Sequence, residues 1–334
     1  MSTRGRRLAY GVVAVATACL LSTPAVAAVP STHFGRSTDL SVGFVLDRGG
    51  IDRIDLPGDG SFTTLGKTTN RGKIVGKAPY RNGVGYYGFV LDRDGGFRRI
   101  EFPGATTTYA QGINERGWIV GDASPGPTVL DPGATGFLLV RGKFTRIAYP
   151  GAVYTQAHGV NNRGQVVGEY LDKHGVVHGY RWERGRFTTF NGPLGTGASI
   201  TDINDRGVMV GAYAVDPDAG LADLRGFQLR NGRYTTFKPL RQQPTLPFDI
   251  NNRGQIVGTT SDPDLTTFHG FQLTKNAAGP VTQIDVPGSP NTSVFGIDDR
   301  GRIIGVYENP NATPTALRIP AAAMPLGLTS QKSR

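Results

Sequence analysis

Six arginines recur at one position of a nine-residue string: Arg71, Arg116, Arg163, Arg206, Arg253 and Arg300. Guanidinium groups take carboxylate, phosphate and sulfate in paired hydrogen bonds, so six of them on one surface would bind anions. The competing reading is structural: each arginine packs over its own turn or bonds carbonyls of the neighbouring unit. The strings are TTNRGKIVG (68–76), INERGWIVG (113–121), VNNRGQVVG (160–168), INDRGVMVG (203–211), INNRGQIVG (250–258) and IDDRGRIIG (297–305). Their central glycines lie 45, 47, 43, 47 and 47 residues apart, a repeat period that fixes the architecture before any other residue is weighed.

Other chemistry is thinner. Asp202 to Gly207 and Asp249 to Gly254 mimic the start of an EF-hand loop, but an arginine stands where an oxygen ligand belongs, and Tyr213 and Thr260 occupy the twelfth positions instead of Glu. His174 and His178 have metal-like spacing without an acidic partner evident in the sequence, and a turn role plus a packing role suits them better than zinc. There is no GxSxG and no aspartate box, and the five histidines are scattered over different elements. Trp118 and Trp182 offer stacking faces for sugars, although packing between units is the simpler assignment. No metal and no cofactor is expected.

The elements that position these residues follow from turn chemistry. The turn's first position is Thr69, Asn114, Asn161, Asn204, Asn251 or Asp298, each with a side-chain oxygen able to accept from the backbone two residues on. Its fourth position is always Gly, as a type I turn followed by a left-handed bulge requires. Around it, the unit from Gly136 to Tyr180 reads as four strands: GFLLV, FTRIAY after the tight turn Arg141-Gly142-Lys143, AHGV, and QVVGEY after the NNRG turn. Equivalents of the first strand begin at Gly43, Gly88, Gly179, Gly226 and Gly270. With 48 Gly and 22 Pro and no sustained helical periodicity outside the N-terminal segment, the chain reads as all-β. Six four-stranded antiparallel meanders bury their faces by radial closure, so the expected fold is a six-bladed β-propeller over residues 38–320. Ala316 to Pro320 (ALRIP) resembles a seventh copy of the first strand and is expected to help close the ring, with residues 321–334 a flexible tail.

Residues 1–28 have the pattern of an export signal: Arg4, Arg6 and Arg7, an apolar stretch from Leu8 to Leu21, and Ala25-Val26-Ala27 for the peptidase. Ala9 argues against a twin-arginine signal, and the residues before Cys19 argue against lipidation. Residues 29–37 form a short linker. Cleavage removes the one cysteine, so the mature chain has no disulfide despite an oxidising destination. It also removes three of the 36 Lys and Arg and no acid, leaving a net charge of +7, compatible with anionic polymers and equally with simple solubility. No second apolar run approaches membrane length.

The unit GF…F…I…PGA…T…GIN-x-RG-x-IVG-x-Y resembles the bacterial extracellular HAF repeat family, whose His-Ala-Phe element appears here as His178-Gly179-Tyr180 and His269-Gly270-Phe271. Four of the six copies lack the histidine and none has the alanine. The resemblance implies export and repeat architecture and brings no reaction with it. The reading is therefore a secreted monomeric binding module for an anionic or glycan polymer of the cell envelope, with no nucleic-acid partner. The alternatives are an extracellular hydrolase or lyase, which needs carboxylates or a metal converging on the central channel, and a purely structural surface protein.

Overall fold

The pairing of the two chain ends decides how the ring closes. The computed structural model describes residues 41–47, 50–54, 64–80, 84–216, 223–239, 244–262 and 266–308. Strands β1 (Ser41–Asp47) and β2 (Gly50–Ile54) form a sheet with β23 (Thr292–Ile297) and β24 (Ile303–Glu308), in the order β2-β1-β24-β23. The remaining sheets are consecutive. Blade 1 is β3 (Thr64–Thr68), β4 (Ile74–Pro79), β5 (Tyr86–Leu91) and β6 (Phe97–Ile100); blade 2 is β7 (Thr107–Ile113), β8 (Ile119–Ser124), β9 (Thr135–Val140) and β10 (Lys143–Ile147). Blade 3 is β11 (Tyr154–Val160), β12 (Val166–Leu171), β13 (Val177–Glu183) and β14 (Arg186–Phe190). Blade 4 is β15 (Ser199–Ile203), β16 (Met209–Ala214), β17 (Leu224–Arg230) and β18 (Arg233–Phe237). Blade 5 is β19 (Thr245–Ile250), β20 (Ile256–Ser261), β21 (Phe268–Leu273) and β22 (Val281–Ile284), and blade 6 is the antiparallel sheet shared by the two ends. The expected six blades of four antiparallel strands are all present.

One detail differs from the sequence reading. The repeat unit beginning at GF straddles two blades, because the strand before each NRG turn is the innermost of a new sheet and GF starts the third strand. Closure is made by β1 on β24, in register from Ser41 opposite Glu308 to Leu46 opposite Ile303. Ala316–Pro320, expected to help close the ring, lies outside the described residues together with the signal and the tail.

The inner strands β3, β7, β11, β15, β19 and β23 each touch the inner strands on both sides, which defines the central channel. Apolar clusters fill the wedges between blades. Val75 and Ile100 of blade 1, for example, pack with Ala110, Ile119 and Phe137 of blade 2. Each fully buried chain of this size contributes about 1.5–3 kcal/mol, so the wedges supply the principal stabilisation of a ring without disulfides. The last glycine of each string is required here. A Cβ at Gly211 would clash with the backbone carbonyl of Ser199 on the first strand and meet Phe227 Cζ of the third at 2.8 Å.

Antiparallel order gives the ring two distinct faces. The NRG turns and the tight turns between third and fourth strands lie at one end, here the turn face. The longer connections, such as 125–134, 172–176 and 191–198, lie at the other, the loop face.

Candidate functional site

The NRG turn is built as its composition predicts, and it also joins the blades. Asn114 Oδ1 accepts from Arg116 N and Trp118 N, both at 3.0 Å, while Gly117 takes φ 76° and donates to Asn114 O at 2.9 Å. The spare amide of the same asparagine reaches the next blade. Asn114 Nδ2 donates to Asn161 O at 3.0 Å, Asn161 to Asn204 O at 3.1 Å, Asn204 to Asn251 O at 3.1 Å, and Asn251 to Asp298 O at 2.9 Å. A carboxylate cannot donate, so Arg302 replaces the missing amide at Asp298: its Nε bonds Asp298 Oδ2 at 2.6 Å and its guanidinium bonds Thr69 O at 3.1 Å and Asn70 O at 2.8 Å. Thr69 Oγ1 accepts from Lys73 N at 3.2 Å, so threonine keeps the turn-capping half of the asparagine's role.

A second ring lies at the next position, where Asn70, Glu115, Asn162, Asp205, Asn252 and Asp299 alternate amide and acid. Each of Asn70, Asn162, Asp205, Asn252 and Asp299 has its backbone N–H capped by the side chain of the following blade, at 2.7–2.8 Å. Asn252 Nδ2 further bridges Asp205 at 2.9 Å and Asp299 at 3.0 Å. These acids, unnoticed as a set in the sequence, carry a visible signal in that strict alternation. Burial pushes the Glu115 carboxyl up, opposed by its bond from Asn70 N.

The ring surrounds a funnel open to solvent, with Lys67, Asp202 and Asp249 at its floor. Two residues before the asparagine position, the six blades place Lys67, Gly112, Gly159, Asp202, Asp249 and Gly296. Glycines leave room for one long side chain to cross the channel. Lys67 Nζ reaches Asp202 Oδ1 on the opposite blade, bonds Thr201 O at 3.1 Å, and lies 3.8 Å from Asp249 Oδ1. A Cβ at Gly159 would stand 3.1 Å from that ammonium. The aspartates also accept from backbone N–H groups, Asp202 from Ile250 at 3.0 Å and Asp249 from Ile297 at 2.7 Å. Burial acts to raise Asp202, but the Lys67 charge and its hydrogen bonds outweigh this and hold it below the usual carboxylate range. Burial, then the Asp202 charge, push Asp249 well above that range. These are the carboxylates that suggested a calcium loop in the sequence; their oxygens are committed to Lys67 and the neighbouring backbone.

Below the floor, on its loop-face side, His158 sits between Ile200 O and Gln156 Oε1, each at 3.2 Å, and burial lowers it to about 4. At the position after each IVG-type string, three consecutive blades carry Lys77, Asp122 and Glu169. Burial lowers Lys77 to about 7 and raises Asp122 and Glu169 to about 7 each. Lys77 Nζ lies 3.6 Å from the Tyr109 ring centroid.

The six repeat arginines surround the funnel and are all exposed. Arg116 stands 5.5 Å from the Trp118 ring, and among the described residues none of the six side chains forms an ion pair. Arg141 and Arg184 join them on the turn face with φ 49° and 50°, a left-handed conformation that costs arginine roughly 1–2 kcal/mol. Trp118 and Trp182 are half-buried against the wedge between blades 2 and 3. His178 does have an acidic partner that its spacing did not reveal, Asp172 Oδ2 at 3.0 Å, with Asn191 Oδ1 at 2.8 Å on its other nitrogen. His174 is exposed on the turn, and no group of three His, Cys, Asp or Glu among the described residues is placed to hold a metal.

Fold and site together define a six-bladed β-propeller whose channel is closed by a buried ion pair and whose turn face is ringed by arginine. Solved structures with this fold include the putative TolB from Agrobacterium tumefaciens, 12% identical with a TM-score of 0.59 over 83% of this chain and 99% of that one. TolB from Acinetobacter baumannii is 12% identical with a TM-score of 0.49, covering 80% of this chain and 63% of its own. A fucose-specific lectin from Aleuria aurantia is 10% identical with a TM-score of 0.42, covering 75% and 97%. At such identities the likeness concerns the fold alone. No family model matches the chain, and no curated protein matches it in sequence. No helix among the described residues is long and apolar enough to cross a membrane.

Proposed function

We propose that this is an exported propeller of the HAF repeat type, working as a monomeric binding module whose turn face takes an anionic polymer of the cell envelope. The observation that carries this reading is the set of six exposed arginines at equivalent places around one face, without ion-pair partners among the described residues. Left-handed Arg141 and Arg184 add cations to the same face at positions where asparagine or glycine costs less. Partners bearing carboxylate, phosphate or sulfate suit guanidinium groups spaced by a repeat. A hydrolase or lyase is less well supported, because Asp202 and Asp249 in the funnel are neutralised by Lys67 and by backbone donors.

A glycan and anionic-polymer array probed with the mature protein at two salt concentrations tests the proposal. Binding to acidic polymers should weaken at the higher salt, and R163A/R206A/R253A should lose about tenfold or more in affinity with an unchanged melting temperature. Salt-independent binding to neutral glycans, or full binding by the triple variant, would refute it.

A further inference from the structure

The loop face differs from the turn face in charge and in apolar exposure. Its connections carry Glu101, Asp131, Asp172, Asp216, Asp262 and Asp285, against Lys173 and Lys238 among the described loop residues. The large hydrophobic side chains exposed among the described residues are all here: Val84 at 54%, Val176 at 36% and Leu194 at 56%. Val176 and the 191–198 connection adjoin, since a Cβ on Gly197 would lie 3.6 Å from Val176 Cγ1.

Strand β24 delivers the chain to this face. It leaves the turn face at Ile303 and ends at Glu308, paired with Ser41 at the loop end of the sheet. Residues 309–334, outside the described residues, have the complementary composition. They contain Arg318, Lys332 and Arg334, no Asp or Glu, and an apolar run from Ala316 to Leu328 interrupted by a single charge. That run includes ALRIP, the strand-like copy of the sequence repeat.

We infer that residues 309–334 dock across the loop face of their own ring, the apolar run over Val176 and Leu194 and the cations against the loop carboxylates. Extended chain advances about 3.3 Å per residue, so a segment of this length reaches on the order of 80 Å, more than the roughly 50 Å width of a domain of this size. The exit point and the charge complementarity select this occupant over a foreign cationic protein or the tail of a second copy. This inference does not depend on what the turn face binds.

Zero-length carbodiimide cross-linking of the full mature chain, as a mixture of ¹⁴N- and ¹⁵N-labelled protein, tests it, because Lys332 is the one lysine of the segment. Lys332 should link to loop-face acids such as Glu101, Asp131 or Asp216 within a single isotopic chain. Mixed-label links in the proportion that random pairing of chains gives, links to Asp94 or Glu183 on the turn face, or no link at Lys332 would each overturn the assignment. Hydrogen exchange gives an independent reading: R318E/R334E in the full chain should speed exchange in 172–176 and 191–198 by about fivefold or more, and unchanged exchange there would also overturn it.

Discussion

Lys67→Met is the sharpest test of how the channel is held. The Lys67 and Asp202 side chains are 9% and 7% exposed, and the pair joins blades on opposite sides of the ring. Removing one partner of such a pair leaves a buried charge without compensation, which costs about 3–5 kcal/mol. Lys67→Met/Asp202→Asn removes both charges and keeps an oxygen for the Ile250 N–H, so its cost should be nearer 1–2 kcal/mol, the scale of one lost hydrogen bond. Urea unfolding of wild type, both single variants and the double variant closes the cycle, with a coupling of about 2 kcal/mol or more expected. The pH dependence has a definite sign. Asp202 lies below its unfolded pKa in wild type, so its contribution is present above that unfolded value and fades as pH falls through the folded one. Without Lys67 the same carboxyl is raised by burial, and Lys67→Met should regain stability relative to wild type as pH drops from 7 to 5. Additive single costs, or a Lys67→Met loss under 1 kcal/mol at pH 7, would show that the strut does not hold the ring.

Glu169 is raised to about 7 by burial, so the folded state binds its proton more tightly and stability falls as pH rises from about 4.5 to about 7. Glu169→Gln should remove a slope on the order of 3 kcal/mol over that window, measured as the difference between wild-type and variant unfolding curves; parallel curves would contradict it. At the seam between blades 6 and 1, Arg302→Gln should cost about 2 kcal/mol through loss of its three bonds. Adding Asp298→Asn recreates the pairing of Asn251 with Gln255 at 2.7 Å, so D298N/R302Q should melt near wild type, and a failure to recover would refute the equivalence of the seams.

Much of the fold was legible because its instructions are local. A turn-capping Asn and a left-handed Gly specify the hairpin within five residues, and six copies at a steady spacing leave radial closure as the way to bury both faces of each sheet. The blade frame was not legible, since a repeat has no intrinsic starting point; β1 on β24 decided it. The calcium-like Asp202 and Asp249 show the limit more plainly. Their partner Lys67 lies 135 and 182 positions away in the chain. It stands in the first copy of a position filled elsewhere by aspartate or glycine, and no local pattern connects them.

The sequence alone determined the period, the strand and turn chemistry, the number of blades and the presence of an arginine in each turn, because each depends on residues close together in the chain. Only the tertiary structure decided that those arginines stand exposed around one face and that the adjacent acids cap backbone donors of neighbouring blades. It also decided that one lysine closes the channel and that the chain leaves the ring at its acidic face. Those properties arise from residues on different blades meeting across the ring, and closure of the ring is what brings them together.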